Sequence, residues 1–117
     1  MTTWSAWVVE LGPDEDALEP AIVVGTEEEA RRRLEQAHEG APHLRNLAQD
    51  WPLRSTTPIG PDERRTVHLL LGAEDSLEVF DDAVEAELAR QRCSTPARVV
   101  AAVTNTWLGA PPEARRR

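Results

Sequence analysis

Lysine and tyrosine are absent from this chain of 117 residues, and phenylalanine, methionine and cysteine occur once each. The lone Cys93 excludes an internal disulfide and fits a reducing compartment, so a cytoplasmic location is expected. No stretch approaches the ~18 apolar residues of a membrane-spanning helix, and the first residues lack the charged start and apolar stretch of a secretory leader. Neither a GxGxxG pattern nor a P-loop glycine pattern is present. His38 and His43 are separated by Gly40 and Pro42 and so cannot share a helix face as metal ligands. No cofactor, no metal and no catalytic residue is therefore expected. All 13 basic residues are arginine, which together with abundant Ala, Pro and Glu reads as a small bacterial protein from a high-GC genome.

What the chain has in quantity is acid, with a net charge of −8. Eight acidic residues and no arginine lie between Glu10 and Glu29, and seven more acids and no arginine lie between Glu74 and Glu87. Such a field repels phosphate backbones, so direct nucleic-acid binding is disfavoured and a basic protein partner is favoured.

Thr3 to Leu11 alternates with apolar residues on both faces, Trp4, Ala6 and Val8 on one, Trp7, Val9 and Leu11 on the other. This predicts a strand covered on both sides. Gly12-Pro13-Asp14-Glu15-Asp16 reads as a turn into a second strand that opens at Pro20. The first helix follows, with Thr26 as N-cap, Glu29 completing a capping box, a thin stripe of Ala30, Leu34 and Ala37, and Gly40-Ala41-Pro42 as the stop. His43 to Trp51 suggests a short helical turn and Pro52 to Pro61 a binding, lid or mobile loop. Arg65 to Leu71 is a third strand, and Gly72 followed by Glu74, Asp75 and Ser76 repeats the strand-glycine-acid junction seen at Gly25. That repetition predicts a second helix over 77–92, with Leu77, Phe80, Val84 and Leu88 on its packing side. Residues 96–108 carry both helix caps (Thr95, Pro96, Gly109) and strand formers (Val99, Val100, Val103), and the caps favour a helix.

These elements predict one α+β domain over 1–109, with a mixed or antiparallel sheet of three to four strands covered by two to three helices, and a disordered Arg-rich tail over 110–117. Its general look is similar to that of small bacterial accessory and immunity-type proteins. The expected function is a non-catalytic acidic protein-binding module of the accessory or immunity type, with a homodimer as one form of it. Candidate binding residues are the surplus tryptophans Trp4, Trp7 and Trp51, together with His68 and the acids Glu78, Asp81, Asp82 and Glu85. The alternative is a small ligand-binding or enzymatic domain of the ferredoxin-like dimeric α/β-barrel type. Its pocket would use Trp7, Trp51 and His68, and it requires residues 96–108 to be a strand and His68 to point inward.

Overall fold

The computed structural model describes residues 3–72 and 76–115. Its strands are β1 (Thr3–Gly12), β2 (Glu19–Val24), β3 (Arg45–Arg54), β4 (Thr66–Leu71), β5 (Leu77–Phe80) and β6 (Arg98–Val103), and its helices are α1 (Glu27–Gly40) and α2 (Ala83–Gln91). The chain runs through the same ββαβ connection twice. In the first half β1 lies between β2 and β3, antiparallel to both; in the second half β4 lies between β5 and β6, again antiparallel to both. The halves join where β3 runs parallel to β5, with Leu53 opposite Val79 and Arg54 opposite Phe80, giving the sheet order β2-β1-β3-β5-β4-β6.

This six-stranded mixed sheet curls into a nearly closed barrel, which corrects the expectation of three to four strands under two to three helices. Its two outer strands meet without pairing as a ladder. At one end the Asn105 N–H donates to the Val23 carbonyl at 2.8 Å, and the Leu108 N–H donates to the Ala21 carbonyl at 2.8 Å. At the other end Arg98 of β6 lies 3.5 Å from Glu19 of β2. The inside is filled by Ala6, Val8, Val23, Leu53, Leu69 and Val79, all fully buried. Helix α1 covers the outside of the first half through Ala30 and Ala37, against Val9, Ile22 and Leu11. Helix α2 covers the outside of the second half through Ala86, against Leu70 and Phe80. β1 is thus buried on both faces, as its two apolar sides require.

Four segments depart from their expected states. Residues 77–80 form β5, and the helix begins only after Asp82, whose carboxylate accepts from the Val84 N–H. Gly72 does not open a helix; its N–H donates to Ser76 O at 3.0 Å and it starts the β4–β5 hairpin. Residues 73–75, including the expected cap Asp75, lie outside the described residues. Residues 45–54 are β3, paired with β1 over ten positions, where a helical turn and the start of a loop were expected. Residues 98–103 are β6, a strand in place of the favoured helix, because the free edge of β4 takes a partner there. Downstream, Pro112–Arg115 forms a 3-10 turn with Pro112 buried, where composition suggested a loose tail, and a Cβ on Gly40 would lie 2.9 Å from Pro112 Cβ. No helix of the described residues is long and apolar enough to cross a membrane.

Candidate functional site at the open end of the barrel

The two ends of the barrel differ. One holds the C-terminal ends of β2, β3, β5 and β6 and is closed by residues 55–65. Ile59, only 4% exposed, drops into the barrel as a plug. Gly25 lets that loop approach, since a Cβ there would sit 2.3 Å from the Ile59 carbonyl oxygen. Arg65 holds the loop down. Its guanidinium donates to Ser55 Oγ and Thr57 Oγ1, each at 3.1 Å, to the Thr57 carbonyl at 3.0 Å, and reaches Asp81 Oδ1 at 3.4 Å. Ser55 Oγ in turn donates to Asp81 Oδ2 at 3.1 Å. Asn105, in the left-handed region at φ 58°, donates its amide to the carbonyls of Gly60 and Glu63. The proline-rich stretch expected as a binding, lid or mobile loop is tied down over this end of the barrel.

Among the described residues the opposite end is open. There β3 pairs with β5 only at Leu53 and Arg54, and a wedge lies between the earlier residues of β3 and β5. A groove of about 460 Å³ fills this wedge, floored by Leu18, Pro20, Leu47, Leu71 and Leu77. Its polar lining includes Glu10, Glu15, Asp16 and Arg98, three carboxylates against one guanidinium. A second groove of about 520 Å³ continues from it between β2 and β6, sharing Pro20, Leu71 and Arg98 and ending at Leu108 and Arg115. The rim is the β1–β2 connection, where Asp14 caps a 3-10 turn over Glu15–Ala17 by accepting from the Asp16 N–H. Gly12 permits that connection, because a Cβ there would come within 2.0 Å of the Ala17 carbonyl oxygen. The first acidic block of the sequence is therefore divided: residues 10–19 rim the open end, and Glu27, Glu28 and Glu29 start α1 at the closed end.

The residues singled out in the sequence do not converge. Trp4 is exposed on β1 beside Leu53 in register. Trp7 packs outside the barrel under α1, and Trp51 packs inside against the main core. His68 neighbours Phe80 and Ala101 in register and, by strand alternation with the inward Val67 and Leu69, faces outward. The strand that a Trp7/Trp51/His68 pocket needs is present, but these three side chains lie in three different places. Glu78 is on β5 and pairs with Arg54 at 2.7 Å; Asp81 belongs to the Arg65 network; Asp82 caps α2; Glu85 is exposed on α2. Among the described residues no group of three or more His, Cys, Asp or Glu is placed to hold a metal ion.

The open end was missed because its floor comes from Leu18, Leu47, Leu71 and Leu77 on four separate segments. Only the Gly-Pro-Asp-Glu-Asp composition at 12–16 signalled the rim. Searches against family models, curated proteins and solved structures found no match.

Proposed function

We propose that the protein is a non-catalytic acidic binding module that engages a basic protein segment at the open end of its barrel. The observation carrying this reading is the groove between β3 and β5, where a leucine and proline floor lies under Glu10, Glu15 and Asp16. An apolar floor supplies area to bury, and carboxylates at the rim select cations and speed their encounter. A segment that alternates arginine or lysine with leucine satisfies both demands. An anionic ligand meets the wrong field.

The test uses a fluorescent peptide of that alternating composition and the full chain. Replacing Glu15, Asp16 and Glu19 by Gln, Asn and Gln will weaken binding by about tenfold or more, in line with loss of rim charge from an electrostatically matched interface. Removing the same charge from α1 (Glu27→Gln, Glu28→Gln, Glu35→Gln) will weaken it about threefold or less, through the long-range field alone. Equal losses in the two triple variants, or none in either, would contradict the assignment of the site.

A further inference from the structure

The repeated ββαβ connection offers a comparison inside one molecule. Both helices start one residue after their strand ends plus a cap, Val24-Gly25-Thr26 before α1 and Phe80-Asp81-Asp82 before α2. Four residues beyond each cap stands the alanine that meets the sheet, Ala30 at 1% exposure and Ala86 at 0%. The faces turned away from the sheet differ. Two and six residues beyond the cap, α1 carries Glu28 and Arg32, ordinary solvent-facing residues, whereas α2 carries Val84 and Leu88. These two are 65% and 45% exposed and adjacent on one helical ridge.

The charges beside that ridge are also distinctive. On α2 Glu87 and Arg90 satisfy each other through a two-pronged contact, with Arg90 Nε 2.9 and 3.0 Å from the two carboxylate oxygens. Hydrogen bonding from Arg90 holds the Glu87 carboxyl below the ordinary carboxylate range. Glu85 and Arg92 instead have no ion-pair or hydrogen-bond partner for their side chains among the described residues. They stand seven residues apart, two helical turns or about 10.5 Å, on the same side of the Val84–Leu88 ridge.

We propose that this face of α2 is a self-association surface, with a second copy of the chain packed antiparallel across a two-fold axis near Leu88. A two-fold interface must be complementary to itself. Antiparallel pairing about Leu88 sets Glu85 of each copy against Arg92 of the other, so two unpaired charges become two ion pairs flanking a buried Leu88–Leu88 contact. The groove beside it, lined by Arg54, Glu78 and Phe80, admits the flank of the incoming helix. A nine-residue helix gives a small interface, so the dimer is weak. This surface lies on the outside of the second half and does not depend on the open-end reading.

Sedimentation equilibrium of the full chain, up to about 1 mM, reads the result, since small interfaces associate in the micromolar to millimolar range. The unmodified chain will approach twice the monomer mass. Leu88→Glu will abolish association while leaving the fold intact, because that side chain faces solvent in the monomer. Glu85→Arg and Arg92→Glu will each weaken the dimer about tenfold by placing like charges opposite each other, and the double swap will recover to within about threefold. A monomer across the whole range, an unaffected Leu88→Glu dimer or a double swap that fails to recover would overturn the proposal.

Discussion

Truncating Leu53 to alanine is expected to lower the unfolding free energy by about 3–4 kcal/mol, as deletion of a fully buried leucine does when the surroundings cannot collapse. Leu53 has no exposed surface and stands where β3 of the first half pairs with β5 of the second among the described residues, opposite Val79 on β5 and Trp4 on β1. The cavity would open between strands whose spacing is fixed by their ladders, so relaxation is limited. Leu47, on the same strand and 40% exposed at the open end, is the internal control. Its replacement by alanine will cost less than about 1 kcal/mol, the range of exposed positions. Urea denaturation of both variants checks the pair. Leu47 and Leu53 lie on the same face of β3, so comparable losses would mean that Leu47 is as buried as Leu53 and that this end of the barrel is not open.

Arg65→Ala is expected to cost about 2–3 kcal/mol, because one guanidinium holds Ser55, Thr57 and Asp81 together through charge-assisted hydrogen bonds that are lost with it. Ser55 is only 5% exposed, and its hydroxyl would keep Asp81 as a partner without the balancing charge. The effect is local as well as global. Amide exchange over 56–63 will accelerate ahead of the rest of the chain, since the loop then loses its charged anchor and rests on Ile59, the Asn105 amide and the Thr104 hydroxyl. Arg64→Ala, at an exposed neighbour, will leave both stability and exchange unchanged within about 0.5 kcal/mol. Equal behaviour of the two variants would remove Arg65 from its role.

The contrast between β1 and β3 explains how far the sequence could be read. β1 announces itself by Trp and Val on alternating positions, and α1 by a cap, Glu-before-Arg spacing and a glycine stop; both are legible because local and tertiary preferences agree. β3 reads Arg-Asn-Leu-Ala-Gln-Asp-Trp-Pro-Leu-Arg, with few strand formers and a proline inside. It is held by ten paired positions on β1, and Pro52 is tolerated because pairing with β5 starts only at Leu53. The β5–α2 segment misleads for another reason. Leu77, Phe80, Val84 and Leu88 fall at helical spacing, yet the first two bury from a strand and the last two face away from the sheet. The periodicity was produced by two different elements, and the exposed half of it was surface and not core. Residues 96–108 carried caps for a helix and β-formers for a strand, and the open edge of β4 settled the matter for 98–103.

The charge count suffered the same limit. Blocks of acid in the sequence do not map onto patches of surface, because β2 carries the chain the length of the barrel between Glu19 and Glu27. The strand-glycine-acid junctions likewise proved unequal. Gly25 precedes a capped helix and lies under Ile59, while Gly72 turns a hairpin. The acids that rim an apolar groove belong to the β1–β2 connection and not to the second acidic block, whose Glu78, Asp81 and Asp82 are engaged by Arg54, by Arg65 and by the start of α2.

In the proposed function one end of the barrel binds and the other stays shut. Titrating the ¹⁵N-labelled full chain with the arginine-leucine peptide, and following amide shifts, tests it most directly. Shifts are expected to saturate at Leu18, Leu47, Gln49, Leu77 and Arg98 around the groove, with Thr57, Ile59 and Arg65 unmoved. Shifts centred on Glu27, Glu28 and Glu29, or spread over every acidic side chain without saturation, would contradict it.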